Sequence, residues 1–262
     1  MTGLSKHDAQ ALLEWQIELG ADEATLDAPV NRFALETTVP KPKSPPAAQS
    51  APLTLSMPQG PLDATAVAQM AAANAQNLTD LRAAMETFSH CPLKDMARQL
   101  VFADGNPKAR LMIVGEAPGR EEDIQGKPFV GRAGHLLDRM FAAIGLSRQA
   151  EDPAKAIYIT NMLPWRPPQN RDPTAEELSM LGPFARRHIE LVRPDILVLM
   201  GNHACQGLIG KRGITRLRGQ WAEVLGHPAL PMFHPAYLLR RPHEKAKAWA
   251  DLLALQARLR GE

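Results

Sequence analysis

The chain's 262 residues, 45% of them hydrophobic, are enough for one substantial core and exclude a fibre or a small disulfide-stapled scaffold. Its longest apolar run in a strand-like segment, Ile196 to Met200, falls far short of the roughly 20 residues of a membrane-spanning helix. No membrane segment is therefore expected, and a start without an apolar stretch behind a basic flank, with Cys91 and Cys205 as the whole thiol content, points to a reducing cytoplasm. The net charge of +2 conceals a division: residues 1 to 90 carry five Lys/Arg against ten Asp/Glu, and the remainder carries 25 against 18, a basic balance that suits a polyanion such as nucleic acid.

In chain order, Ser5 can cap a helix through KHDAQALLEWQIELG, within an amino-terminal helical segment over 1–35. Seven prolines between Val39 and Pro61 mark residues 36–62 as an extended or disordered linker. The composition of the first segment is equally consistent with docking on a protein partner and with packing on its own domain. A second helix is expected over about Ala64 to Phe88.

After Cys91 the rhythm changes. RLMIVG (110–115), AIYITN (156–161) and DILVLMG (195–201) are short, apolar and β-branched, the profile of strands buried on both faces. AGHLLDRMFAAIGL and TAEELSMLGPFARRHIELV lie between them with helical spacing. Two further strands around Trp221–Leu225 and Leu230–Phe233 and a closing helix over Glu244–Arg260 complete residues 63–262. Strands alternating with helices predict a three-layer α/β/α domain around a mainly parallel four-stranded sheet.

Ligands of such sheets collect beyond the carboxyl ends of the parallel strands, where this chain reads GEAPGREEDIQGKPFVGRAG, NMLPWRPPQNR, GNHA and HPAYLLRRP. Gly115 and the glycines after it allow backbone close to a ligand, with neither P-loop nor dinucleotide spacing. Phe129 either plugs the core or offers a flat face. The Asn161 amide, one donor and one acceptor, either caps a turn or complements the O4 and N3–H edge of a uracil. His234 is either structural or a donor to a developing oxyanion. Arg166, Asn170 and Arg171, then Arg218, then Leu238, Leu239 and Arg240 mix cations with stiff or apolar residues, as a protein needs to grip phosphates while wedging into a base stack.

Taken together, GEAPGREED, GKPFVGRAGHLLD, YITN with RPPQNR, ITRLRG and HPAYLLRRP resemble the family 4 uracil-DNA glycosylases from Cys91 to about Leu253. The resemblance implies excision of uracil from DNA, and nothing in the sequence demands more than a monomer. Glu116 and Ala117 would place the attacking water, Phe129 stack the flipped base, Asn161 read it, Glu122 exclude the thymine methyl, His234 stabilise charge on uracil O2, and Leu238 to Arg240 enter the duplex. Some relatives place Asp where this chain has Ala117. The family also implies a [4Fe-4S] cluster on four cysteines, at positions that here read Phe88, Cys91, Trp165 and Leu181. Three of the four cannot supply a thiolate, so no cluster and no other cofactor is expected. Cys205 reads as a buried small hydrophobe. A glycosylase for hypoxanthine or xanthine and an inactive DNA-binding relative are the alternatives.

Overall fold

The computed structural model describes residues 63 to 261. The amino-terminal helix and the Pro-rich linker expected over 1–62 lie outside the described residues.

Three strands set the frame: β2 (Leu111–Gly115), β3 (Ile157–Asn161) and β4 (Ile196–Met200), every residue of which is buried. With β6 (His227–Met232) they form four parallel strands in the order β3-β2-β4-β6. Two antiparallel strands flank these four and make a sheet of six: β5 (Ala222–Val224) on β6, which is the strand expected around Trp221–Leu225, and β1 (Asp104–Gly105) on β3, which was not expected. The two-residue β1 was too short to read from pattern. The turn between β5 and β6 places Leu225 and Gly226 at positive φ, the conformation that matches the twist of a two-residue hairpin. It also lets β6 begin three residues before the expected Leu230.

Period-two alternation divides the strand side chains between two cores. Met112, Val114, Tyr158, Leu197 and Leu199 face one side, Leu111, Ile113, Ile157, Ile159, Ile196 and Val198 the other. The first core is covered by α1 (Ala64–Asn74), α2 (Leu78–Thr87), α6 (Ala175–Val192) and α7 (Asn202–Ile209), the second by α5 (Arg132–Ala142) and α10 (Lys245–Arg260). Short helices α3 (Leu93–Met96), α4 (Arg120–Gln125), α8 (Ile214–Leu217) and α9 (Pro235–Arg240) complete the chain order.

The single helix expected over Ala64–Phe88 is two. Ala75 turns to extended backbone and Asn77 accepts from the Asp80 amide, capping a new helix; a good cap at this position outweighs the helix propensity of the alanines around it. In α6, Thr174 and Glu177 form a reciprocal capping box, which fixes where that helix leaves the site-bearing loop.

Candidate active site

The parallel strands end in register, Gly115 opposite Asn161 and Met200 opposite Met232, so their loops share one rim. Between them lies a cleft of about 540 Å³ lined by Glu116, Phe129, Asn161, His203, His234 and Arg240 among others. Ala117, Glu122, Asn170 and Arg171 also line it.

The loop after β2 is rigidly held. Glu122 accepts from the amides of Gly119 (3.1 Å), Val130 (2.9 Å) and Gly131 (3.0 Å), so one carboxylate ties both ends of the loop together. Phe129 sits at φ 53°, a strained conformation for a bulky residue that surrounding structure must enforce. Arg148 does so: its side chain, 8% exposed, donates to the carbonyls of Phe129 and Pro128 (both 2.9 Å) and pairs with Asp104 and Asp138. The small β1 thus has a purpose in placing Asp104. Gly134 and Gly115 complete the fit. A Cβ on Gly134 would lie 1.8 Å from the Phe129 carbonyl, and one on Gly115 would lie 2.3 Å from Asn161 Oδ1 and 2.6 Å from the Phe129 ring.

Three described side-chain polar atoms are buried without a hydrogen-bond partner in the protein, and two of them, Asn161 Oδ1 and His203 Nδ1, belong to this cleft. Such an atom costs about 1–3 kcal/mol; Asn161 Oδ1 is left available to a ligand, whereas His203 Nδ1 lies 2.6 Å from Glu116 Oε2 without an aligned hydrogen bond. His234, the N-cap of α9, accepts the Ala236 amide at Nδ1 (3.2 Å), which leaves Nε2 to carry the proton of a neutral ring. Burial pushes its pKa below the ordinary histidine value, with Arg240 and His203 adding to the effect and Glu116 and Glu122 opposing it. Its ring lies 5.3 Å from that of Phe129.

The DNA-facing residues expected from the sequence divide. Asn170 and Arg240 are exposed on the cleft rim, and Arg166 lies beside it, donating to Asn170 Oδ1 at 2.8 Å. Arg171 reaches the cleft but is paired with both oxygens of Glu177. Arg218 is a correction: it forms a two-point pair with Asp251, whose side chain is 1% exposed, and packs over Phe233, so it serves the interior. Leu238 is a second correction. It is fully buried in the core because α9 turns Pro235 and Leu238 inward together and leaves Leu239 half-buried, so Leu239 and Arg240 are the surface part of that segment.

Sequence reading missed His203, Asp172 and Arg148. GNHA stood out at the end of β4, yet nothing local indicated that its histidine would meet Glu116; that contact depends on the β2–β4 pairing.

The positions of the family's cluster do not fit one. Phe88, Trp165 and Leu181 are at most 4% exposed in a common apolar core, Phe88 making an edge contact with Phe184 at 5.3 Å. Cys91 is the one thiol there, its pKa raised by burial, and Cys205, pushed up to about 12 by burial, sits on α7. Among the described residues the one convergent group of metal-type ligands is Glu116, Asp172 and His203, with no cysteine.

A buried parallel sheet whose strand ends hold an amide with an unpaired oxygen, a partly buried histidine and a clamped aromatic defines an α/β protein with a polar crevice at its strand ends, where ligands of such sheets collect. Residues 102–253 match the uracil DNA glycosylase superfamily, and the chain belongs to that family. It is similar to a type-4 uracil-DNA glycosylase of Archaeoglobus fulgidus, 38% identical over 185 residues that cover 67% of this chain and 90% of that one. A type-4 uracil-DNA glycosylase of Thermotoga maritima is 43% identical over 57% of this chain and 77% of its own length. A type-5 uracil-DNA glycosylase of Pyrobaculum aerophilum is 31% identical over 51% and 64%.

Proposed function

We propose that the chain is a uracil-DNA glycosylase that draws uracil out of the DNA stack into the cleft, hydrolyses its N-glycosidic bond and leaves an abasic site for repair. The observation that carries this reading is the buried Asn161 amide beside Phe129, whose oxygen has no partner in the protein. The amide complements a uracil edge, and the closeness of Gly115 leaves it little freedom to turn away. Family membership and the type-4 relatives support the same activity.

The chemistry follows from the groups present. Removing a base from the stack costs a few kcal/mol, offset by contacts to the flipped base and the backbone; we assign the DNA-side contacts to Arg166, Asn170, Leu239 and Arg240, which are exposed or half-buried. As the C1′–N1 bond breaks, its electron pair leaves with uracil and charge gathers on O2. A neutral histidine donating from Nε2 stabilises that charge without needing a second proton. Water then adds to C1′, and Glu116 takes its proton. With Ala117 beside it, Glu122 tied to three backbone amides and Asp172 exposed, Glu116 is the carboxylate to which we assign that task. Glu122, bonded to three backbone amides, serves as a loop clamp whatever its effect on thymine.

No step requires an iron–sulfur cluster, and we infer that the enzyme works without one: a single buried thiol among Phe88, Trp165 and Leu181 is not a ligand set. The thiol content also favours a cytoplasmic setting, and we take the active form to be a monomer. Among the described residues no helix is long and apolar enough to cross a membrane.

The test incubates purified, iron-assayed protein with an oligonucleotide bearing one uracil, then cleaves abasic sites with alkali. Strand scission should occur without stoichiometric iron and fall about 10²- to 10³-fold in His234→Ala, the usual effect of removing an oxyanion donor. Absence of scission with DNA still bound would refute the activity.

A further inference from the structure

The GNHA segment at the end of β4 joins three separate pieces of the rim. Asn202 Oδ1 accepts from the amides of Gly213 (3.0 Å) and Ile214 (2.8 Å), which holds the loop carrying Arg212 against the start of α7. His203, 4% exposed, then lies between two groups of opposite charge. Its Nδ1 is 2.6 Å from Glu116 Oε2, and its Nε2 is 3.0 Å from the Arg212 guanidinium. Asp172 is the other carboxylate nearby, exposed and 3.8 Å from Nε2, beyond hydrogen-bond reach.

Arg212 decides the state of this ring. A guanidinium only donates, so Nε2 must accept, and a neutral imidazole accepting at Nε2 carries its proton on Nδ1, the atom facing Glu116. The same donor argues against a metal ion on Glu116, Asp172 and His203. Coordination through Nδ1 would put a proton on Nε2, where it would meet the N–H of Arg212, and coordination through Nε2 would bring the cation against the guanidinium. The Nδ1–Glu116 approach is close but lies off the ideal hydrogen-bond direction, and Nδ1 has no other partner. Catalytic contacts are commonly misaligned in this way before substrate arrives.

We propose that His203 is a positioning residue for Glu116: held as the Nδ1–H tautomer by Arg212, it presents one N–H to the carboxylate and fixes the direction in which Glu116 faces the water. The proposal rests on the reading that Glu116 serves the attacking water.

Single-turnover excision of uracil, with enzyme in excess, tests it beside the affinity for uracil-free duplex. His203→Ala should slow excision about 10- to 100-fold, the range expected when an orienting partner is lost, and change duplex affinity less than about threefold. His203→Asn, whose Nδ2 occupies the place of Nδ1, should recover most of the rate. His203→Gln, whose amide reaches the place of Nε2, should not. In a Glu116→Gln background, His203→Ala should cost almost nothing further, because the two residues act as one unit. A wild-type rate in His203→Ala, equal rates for the Asn and Gln variants, or a full additional loss in the double variant would overturn the proposal. So would loss of wild-type activity on chelation with recovery on adding a divalent cation, which would make the three residues a metal site. A wild-type rate in Glu116→Gln would instead overturn the role of Glu116, and no excision by the wild type would overturn the glycosylase reading itself.

Discussion

Asn161 and Trp165 stand four residues apart after the same strand and illustrate opposite uses of burial. At Asn161 the amide oxygen is enclosed and unpaired, and the glycine opposite lets the ring of Phe129 and the amide approach it. At Trp165 the side chain is 2% exposed and surrounded by apolar neighbours, with Phe88 and Leu181 in the same core. An unpaired buried polar atom lowers stability and is retained where a ligand compensates, whereas apolar burial of an aromatic raises stability by itself. The first region therefore holds binding capacity and the second holds the fold.

The strongest way to break that contrast is Trp165→Ala, expected to destabilise by about 3–5 kcal/mol in urea denaturation. A loss under about 1 kcal/mol would show that the region is not packed as described. Next, Arg218→Ala leaves the Asp251 carboxylate buried without its partner and should cost roughly 3 kcal/mol of stability, while duplex affinity measured by fluorescence anisotropy stays nearly unchanged. A large affinity loss at unchanged stability would return Arg218 to the DNA-contacting set. Asn161→Ala sharpens the contrast from the other side: excision should fall about 10- to 100-fold, from the loss of a base-reading amide worth about 1–3 kcal/mol. Its urea midpoint should hardly move, because the residue removed had an unpaired atom.

Taken per pH unit, the smallest expected effect concerns pH. His188 is buried on α6 with its Nε2 2.9 Å from the Tyr158 hydroxyl, and burial pushes its pKa down to about 3. In the unfolded chain the imidazole takes up a proton near pH 6.5, so the unfolded state binds more protons between these values. Stability from this group is complete above about pH 6.5 and is lost as pH falls toward 3, by at most about 1.4 kcal/mol per pH unit. Urea midpoints of the wild type and His188→Gln between pH 4 and 7 should differ in slope by that amount. Parallel slopes would mean that His188 is not held neutral inside.

Much of the architecture was legible in the sequence because its signals are local. Buried parallel strands are continuous apolar runs, and RLMIVG, AIYITN and DILVLMG appear as β2, β3 and β4. The family motifs identified Glu116, Phe129, Asn161 and His234, which the fold brings to one cleft. What misled was also local. The alanines of 64–88 suggested an unbroken helix until Asn77 capped a second one. LLRR looked like a wedge, whereas helical periodicity in α9 turns Leu238 inward. A basic residue in TRLR looked free, but its partner Asp251 lies 33 residues away on α10.

By itself, the sequence determined the class of the fold, the family and the residue types at the strand ends, since strand pattern, helix pattern and motif spacing are written in neighbouring positions. Only the tertiary structure decided which polar groups are paired. The Arg148 clamp on Phe129, the Arg218–Asp251 pair and the meeting of His203 with Glu116 each join segments distant in the chain. The free energy of a buried charge or amide depends on its partners in space, which sequence separation does not reveal.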